Sequence, residues 1–415
     1  MSQFTYRDNL LYAEEVSCSK LADAYGTPCY VYSKAAIQHS YQAYASALQH
    51  WPTRICYAVK ANSNLAILSL LAQLGAGFDV VSGGELERVI RAGGDAGKVV
   101  FSGVAKRADE IRRALLAGIY CFNIESREEL ERVESIAKEM GIPARVSLRV
   151  NPDVNPSTHP YISTGLKENK FGVEIDQAWE LYQRIAQSRD LHAAGIDCHI
   201  GSQLLDLAPF QACFEKLFEL VDRLHGCGIA LQHVDVGGGL GIAYTHRESA
   251  PGPQEFAKVL APFMQDRQLE LIVEPGRALV GAAGLLLCRV EYLKHTAQKN
   301  FALVDAAMND LLRPSLYSAW HGISAVYKEA GDEMLYDVVG PVCESSDWLG
   351  SQRSLCIKQG SLLAIHDVGA YGFVMASNYN SRMRPAEILV DGDQAWLVRK
   401  RESIEQLFAD EIIPG

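Results

Sequence analysis

Residues 55–62 of the chain are ICYAVKAN, a short apolar run that ends on Lys60 and not on a turn residue. Such a run predicts a buried strand. The ammonium group of a lysine at this position is costly to bury unless it is paired, loses its proton or is consumed chemically. A desolvated amine of this kind can form a Schiff base with an aldehyde cofactor. The alternative is a lysine that extends from the strand end to water.

Short apolar runs of this kind recur between residues 28 and 277, and they alternate with longer helical patterns such as 126–140 and 209–226. In the helical patterns the apolar residues fall at three- and four-residue spacing. The candidate strands are residues 28–32, 55–59, 78–81, 99–101, 121–124, 145–150, 195–200, 234–236 and 271–273. Repeated strand–helix units with strands this apolar indicate a parallel sheet covered by helices, either a (β/α)₈ barrel or a doubly wound sheet.

The loops that follow these strands favour the barrel. They are polar or contain glycine or proline, at residues 60–62, 82–84, 151–152, 201–203, 237–239 and 274–276. In barrels, the loops at the carboxyl ends of the strands build the active site, and a phosphate group often binds after the last two strands. The triple glycine at 237–239 fits this role because glycine lets backbone N–H groups approach an anion, although a tight turn is the alternative.

The pattern changes after residue 277. Strand-like runs at 284–292, 301–305, 335–340, 361–366 and 387–390 follow one another closely, with turn signals between them. We therefore predict an α/β fold: a (β/α)₈ barrel over residues 28–277 and a mainly antiparallel β domain, sandwich-like or barrel-like, over 278–415 with 1–27. A short charged helix is expected at 403–411. The loop 151–172 is expected to be a mobile cover over the site.

Composition is typical of an enzyme with substantial cores. The chain has 415 residues, of which 48% are hydrophobic, and a formal net charge of −11. This charge argues against general binding to nucleic acid or to anionic membranes. The ten cysteines show no metal-ligand or disulfide-scaffold spacing, and the first residues lack the features of a signal peptide. We expect a cytoplasmic protein without a bound metal.

Several ordered motifs resemble one known family. They are YAVKAN at 57–62, HPYISTG at 159–165, HIGSQ at 199–203, GGG at 237–239, EPGR at 274–277, NDLLRP at 309–314, CES at 343–345 and SNYNSR at 377–382. Together they resemble the pyridoxal-phosphate decarboxylases with an alanine-racemase-like barrel (fold type III), and within these the diaminopimelate decarboxylases. The resemblance extends from about residue 20 to the C-terminus. It implies pyridoxal 5′-phosphate as cofactor and decarboxylation of meso-2,6-diaminopimelate to L-lysine and CO₂, the last step of L-lysine biosynthesis.

The resemblance also implies roles for the residues around the cofactor. Lys60 would hold it as a Schiff base, Glu274 would keep its pyridine nitrogen protonated, and His199 would stack against the ring. The remaining cofactor ligands would be Ser202, Gly238, Gly239, Gly276, Arg277 and Tyr371, mainly at the phosphate group. Asp79 and Arg149 would lie near the cofactor, but each is equally interpretable as part of a structural ion pair.

Cys343 would donate the proton that replaces CO₂, with a buried inert thiol as the alternative. In the family this loop reaches into the partner subunit, which implies a homodimer with shared active sites. The substrate ligands implied are Arg277, Arg313, Tyr317, Glu344 and Tyr371. A guanidinium can bind the distal carboxylate of diaminopimelate through two parallel hydrogen bonds, and a carboxylate can bind its distal ammonium.

One residue departs from the family pattern. Ser346 stands where the family usually has glycine, and it would be strained if that position had a positive φ angle. Three alternatives remain: a decarboxylase of ornithine, lysine or arginine, a non-catalytic homologue, and an alanine racemase. Arg313 and Tyr317 argue against the first. The joint presence of Lys60, Cys343 and Tyr371 argues against the second.

Overall fold

A computed structural model describes residues 3–154 and 170–415. The predicted motif at 159–165 and most of the predicted cover loop 151–172 lie outside the described residues. The chain forms two compact units. We call Ser40–Ile242 with Ser249–Leu279 the barrel unit, and Met1–His39 with Ala243–Glu248 and Val280–Gly415 the β unit.

The strands, in chain order, are β1 Phe4–Arg7, β2 Leu10–Ala13, β3 Val16–Ser17, β4 Cys29–Ser33, β5 Thr53–Ala58, β6 Gly77–Val80, β7 Val99–Phe101, β8 Cys121–Ile124, β9 Ala144–Asn151, β10 Val173–Glu174, β11 Leu191–Asp197, β12 His233–Asp235, β13 Glu270–Val273, β14 Gly284–His295, β15 Asn300–Val304, β16 Ile323–Ala325, β17 Met334–Val339, β18 Trp348–Leu355, β19 Leu362–Ile365, β20 Ala386–Asp391 and β21 Gln394–Arg399. The helices are α1 Cys18–Tyr25, α2 Lys34–Leu48, α3 Leu65–Gln73, α4 Gly83–Arg91, α5 Ala108–Ala117, α6 Arg127–Met140, α7 Ile175–Gln187, α8 Ala208–Gly226, α9 Pro253–Met264, α10 Arg277–Val280 and α11 Arg313–Tyr317.

The barrel unit is a closed ring of parallel strands, in the order β5-β6-β7-β8-β9-β11-β12-β13 and back to β5. The short strand β10 is added in parallel beside β9. Strands β6, β7 and β8 are buried along their whole length, as expected where helices cover a parallel sheet. The predicted (β/α)₈ barrel is therefore confirmed.

Close packing inside the barrel requires small residues on some strands. His233 of β12 is fully buried, and a Cβ atom added at Gly195 of β11 would come within 2.1 Å of its Nε2 atom. Only glycine leaves room for the imidazole at this point. Outside the ring, Phe210 and Phe214 of α8 meet Phe256 of α9 edge-on, with ring centroids 5.2 and 5.9 Å apart.

The β unit contains a sheet in the order β18-β17-β15-β14-β4-β20-β21, with β19 and β16 attached to β14. Its pairs are antiparallel except β4 with β20 and β15 with β17. The mainly antiparallel β domain is thus confirmed. Its core brings together buried side chains of β2, α1, β4, β14 and β20.

Two expectations about individual elements were wrong. The candidate barrel strand at 28–32 is β4, which pairs with β14 and β20 in the β unit. An apolar run predicts that a strand is buried, but it does not predict which strand it pairs with. The helix expected at 403–411 is a single 3-10 turn, Glu405–Leu407, with no buried residues to stabilise it. Across the described ranges, no helix combines the length and the apolar character that a bilayer crossing requires.

Candidate active site

Lys60 lies in a 3-10 turn, Val59–Ala61, that directly follows β5. The register between β5 and β6 places Ala58 opposite Asp79. The Nζ atom of Lys60 lies 2.5 Å from Oδ2 of Asp79, whose side chain is fully buried, whereas that of Lys60 is 36% exposed. The predicted strand-end lysine is therefore held by a buried carboxylate, while its side chain remains accessible. Asp79 contacts the lysine amine directly.

Three further buried carboxylates cluster at the carboxyl ends of β11, β12 and β13. Asp197, Asp235 and Glu274 each place one oxygen within 4.8 Å of the others. Burial raises the pKa of Glu274 well above its usual value, and the charge of Asp235 raises it further. Burial is also the main cause that raises the pKa of Asp235 to about 7 and that of Asp197 well above its usual value. This cluster attracts a positive charge, either a cation or a protonated ring nitrogen.

Asp235 connects this cluster to the triple glycine. Its Oδ1 atom accepts a hydrogen bond from the N–H of Gly237 at 2.9 Å. The backbone of Glu274 is fixed on the same turn, because its N–H donates to the carbonyl of Gly237 at 2.8 Å. Hydrogen bonds therefore connect Asp235 and Glu274 directly to the glycine turn.

The glycine turn needs its glycines for two separate reasons. Gly237 and Gly239 have φ angles of 68° and 104°, in the left-handed region. A Cβ atom at Gly238 would lie 2.1 Å from the carbonyl oxygen of Glu274. The N–H of Gly238 donates to Nδ1 of His199 at 3.2 Å, so that nitrogen is unprotonated. Loss of hydration and the charges of Arg149 and Lys60 lower the pKa of His199 well below its usual value.

Two more predicted residues meet near the end of β13. Arg277 begins the short helix α10, and its Nη2 donates to Oγ of Ser202 at 3.0 Å. Arg277 is buried. Gly276 packs tightly, since a Cβ atom there would lie 3.1 Å from the Cβ atoms of Ala58 and Ala61. A guanidinium and a hydroxyl group next to a glycine turn are suitable donors for an anion.

Arg149 is part of a buried ion pair. Its Nη1 lies 3.0 Å from Oε1 of Glu125, and Glu125 also accepts from the N–H groups of Gly103 and Gly172. A second buried pair supports the first: Lys106 contacts Glu129 at 2.5 Å, and Glu129 accepts from the N–H of Glu125 at 3.0 Å. Arg149 thus makes the structural ion pair that the sequence analysis gave as one of its two interpretations.

In the β unit, the predicted substrate ligand Arg313 begins α11, and Tyr317 ends it. Arg313 is buried, and its Nη1 donates to Nε2 of His321 at 2.7 Å. The guanidinium carbon lies 4.7 Å from the centre of the Tyr244 ring, a cation–π contact. The side chain of Arg313 is thus held on two sides.

The loop that carries Cys343 and Glu344 also belongs to the β unit. Both residues are exposed, so the interpretation of Cys343 as a buried inert thiol does not hold. The N–H of Cys343 donates to Oδ1 of Asn380 at 3.0 Å, and Tyr379 donates to Oε1 of Glu344 at 2.5 Å. The thiol therefore stands on an ordered, accessible loop.

The side chain of Asp347 holds this loop in place through hydrogen bonds to the backbone. Its carboxylate accepts from the N–H groups of Met308 at 2.6 Å and Val342 at 2.7 Å. Ser346 is not among the described residues with a positive φ angle, so the strain considered for it is absent. Tyr371 does have a positive φ angle, 56°, a conformation uncommon for a bulky residue.

Sequence reasoning missed several of these residues. Asp197 and Asp235 are buried polar side chains within predicted strands, whereas His321 is a buried polar side chain outside them. Polar residues in otherwise apolar runs were a signal, because burying them is costly without a partner. The signal does not name the partner, since the contacts of these residues join segments that are distant in sequence.

The chain is similar to known proteins along its whole length. Residues 34–281 match the family model described as pyridoxal-dependent decarboxylase, pyridoxal binding domain. The diaminopimelate decarboxylase of Pseudomonas aeruginosa is 56% identical over 411 residues, which cover 99% of each chain. That of Vibrio cholerae is 52% identical, covering 100% of this chain and 99% of the relative.

Solved structures agree with these relatives. The diaminopimelate decarboxylase of M. jannaschii in complex with L-lysine superposes with a TM-score of 0.95 at 39% identity, covering 99% of this chain and 98% of that one. The Helicobacter pylori enzyme complexed with L-lysine gives a TM-score of 0.91 at 44% identity, covering 94% and 98%. A lysine/ornithine decarboxylase from Vibrio vulnificus, with a TM-score of 0.79 at 20% identity, shares the fold.

Proposed function

The chain belongs to the diaminopimelate decarboxylases, and we propose that it converts meso-2,6-diaminopimelate into L-lysine and CO₂ with pyridoxal 5′-phosphate as cofactor. This is the last step of L-lysine biosynthesis. The observation that carries the proposal is 56% identity over 99% of both chains with a diaminopimelate decarboxylase. The accessible Lys60 beside buried Asp79 gives the chemistry a physical basis.

The residues of the barrel unit fit this cofactor. The buried carboxylate cluster, which includes Glu274, suits a protonated pyridine nitrogen better than a neutral group. The glycine turn excludes side chains where a phosphate group would need close backbone approach. When bound, the cofactor supplies an electron-poor ring that accepts the electron pair left by CO₂.

We assign the following roles to the residues of the barrel unit. Lys60 holds the cofactor through its amine, with Asp79 fixing the position of Nζ. Glu274 stabilises the protonated ring nitrogen, and His199, kept neutral by its surroundings, packs against the ring. The phosphate group takes the donors Ser202, Gly238, Gly239, Gly276 and Arg277, together with Tyr371 of the β unit.

The reaction replaces a carboxylate by a proton, so the protein must deliver one proton to the carbon that loses CO₂. We assign this step to the thiol of Cys343. Its exposure on an anchored loop supports delivery to a second copy of the chain, and we propose a homodimer with shared active sites. A thiol that serves only its own chain would need no such dimer.

Substrate selection is assigned to Arg277, Arg313, Tyr317, Glu344 and Tyr371. Ornithine and lysine lack the second carboxylate, so a buried arginine such as Arg313 has no function in binding their distal ends. We further propose that the enzyme acts in the cytoplasm, where its cysteines stay reduced.

The proposal is tested by CO₂ release from purified, cofactor-loaded protein given meso-diaminopimelate, L-ornithine, L-lysine or L-arginine in parallel. Release from diaminopimelate alone, with L-lysine as the product, is expected. Release mainly from ornithine, lysine or arginine would overturn the substrate assignment. No release from any of the four compounds would overturn the proposed activity. Lys60→Ala is the inactive control, because it removes the amine that would hold the cofactor.

A further inference from the structure

His321 forms two hydrogen bonds that together define its protonation. A guanidinium only donates, so the 2.7 Å contact with Nη1 of Arg313 makes Nε2 of His321 an acceptor. A carbonyl only accepts, so the 2.8 Å contact between Nδ1 and the carbonyl oxygen of His366 places the hydrogen on Nδ1. His321 is therefore a neutral imidazole in one tautomer.

The surroundings of His321 leave it little freedom. The side chain is fully buried, and the Tyr244 ring meets it edge-on at 5.2 Å between centroids. The N–H of His366 donates to the carbonyl of Gly322 at 2.8 Å, which ties the backbone beside His321 to the end of β19. The imidazole is thus a rigid acceptor aimed at one N–H of Arg313.

Arg313 is held by a neutral partner at this contact. A carboxylate in the place of the imidazole would neutralise the guanidinium and compete with an anionic ligand. A neutral acceptor orients the guanidinium and leaves its positive charge in place for the groups around it, among them the carboxyl of Asp367, whose pKa that charge lowers against the effect of burial. A guanidinium carries several N–H donors, and this bond uses one of them.

We propose that His321 is a positioning residue for substrate recognition, which fixes the guanidinium of Arg313 so that it binds the distal carboxylate of the substrate. This inference rests on the proposed function, in which Arg313 binds that carboxylate. In this proposal His321 acts through Arg313 and not by contact with the substrate or the cofactor.

Two variants separate the acceptor from the rest of the side chain. In His321→Gln the amide oxygen reaches the position of Nε2 and can accept from Arg313. In His321→Asn the shorter amide reaches only the position of Nδ1, so the bond to His366 is kept and the acceptor is lost. We expect His321→Asn to raise KM for meso-diaminopimelate at least tenfold with kcat within threefold, and His321→Gln to keep KM within threefold.

Competition by two diamines tests whether the effect is specific to a carboxylate. L-lysine, the expected product, carries the distal carboxylate, whereas cadaverine (1,5-diaminopentane) does not. In His321→Asn the inhibition constant of L-lysine should rise at least tenfold, and that of cadaverine should stay within twofold. A merely structural role would weaken both inhibitors alike. His295→Gln, at an exposed histidine on β14, is the control for loss of an imidazole.

A second measurement tests whether His321 acts through Arg313. Adding His321→Asn to Arg313→Ala should change KM by less than twofold, because the guanidinium is already absent. Equal KM values for His321→Asn and His321→Gln, or full additivity with Arg313→Ala, would overturn the inference. If the wild-type protein does not release CO₂ from diaminopimelate, the proposed function itself fails, and this outcome is separate from the others.

Discussion

Asp235→Asn should stabilise the cofactor-free protein at neutral and alkaline pH. Asp235 is fully buried, and burial is the main cause that raises the pKa of its carboxyl from 3.8 to about 7. Above pH 7 the folded state must carry this charge, whereas the unfolded chain carries it at little cost. The penalty is absent below the unfolded pKa and grows as pH rises to the folded pKa. Asparagine removes the charge and keeps an oxygen that can accept from Gly237.

The magnitude follows from the difference between the two pKa values. A pKa difference of about three units lowers the free energy of unfolding by about 4 kcal/mol at pH 8. At pH 5 the same group lowers it by less than about 2 kcal/mol. The charge of Asp235 also raises the pKa values of Asp197 and Glu274. We expect the gain from the substitution to increase by about 2 kcal/mol between pH 5 and pH 8.

The assay is urea-induced unfolding of the cofactor-free protein, followed by circular dichroism at one protein concentration at pH 5 and pH 8. Asp222→Asn is the matched control with the opposite sign. Asp222 accepts from Arg267, with Oδ2 at 2.9 Å, and this bond lowers the pKa of the carboxyl. Its loss should slightly destabilise the protein at pH 8. The reasoning is refuted if Asp235→Asn changes stability equally at both pH values, or lowers it at pH 8.

Three further predictions concern single contacts. Gly238→Ala should weaken binding of pyridoxal 5′-phosphate more than tenfold in an absorbance titration, because its Cβ atom would lie 2.1 Å from the carbonyl oxygen of Glu274; unchanged affinity would contradict this. Lys106→Met should lower the free energy of unfolding by about 3–5 kcal/mol, since it leaves Glu129 buried and unpaired, and the double variant with Glu129→Leu should be more stable than the single one. Ser346→Gly should leave kcat within twofold of the wild type, because Ser346 does not have a positive φ angle; a large increase would show that the serine is strained.

The barrel could be predicted from sequence because its strands are buried on both faces. Each such strand is a short apolar run, and a polar loop marks its carboxyl end. The strand Cys29–Ser33 has the same local pattern, and all five of its residues are buried. Its membership in the β unit depends on pairing with residues more than 250 positions away, at 284–287 and 386–390. No local pattern contains that information.

The candidate site was predicted in part for a similar reason. Lys60 and Glu274 lie in ordered motifs, so their residue types and neighbours mark them. Asp235 precedes the triple glycine and could have been noticed as a charged residue in a buried strand. His321 has no local mark at all. Its importance arises from a 2.7 Å contact with Arg313, which depends on the path of the backbone between them.

The buried carboxylates also affect the electrical charge of the whole molecule. The formal charge of −11 counts every aspartate and glutamate as ionised. Burial raises the pKa values of Asp197 and Glu274 well above their usual values, so in the cofactor-free fold both carboxyls hold their protons to higher pH than exposed carboxyls do. The cofactor-free protein therefore loses these two protons at higher pH than its composition suggests. Since a bound pyridinium favours ionised carboxylates, loading the cofactor should release protons to the buffer, and the heat of loading should vary with the ionisation enthalpy of that buffer.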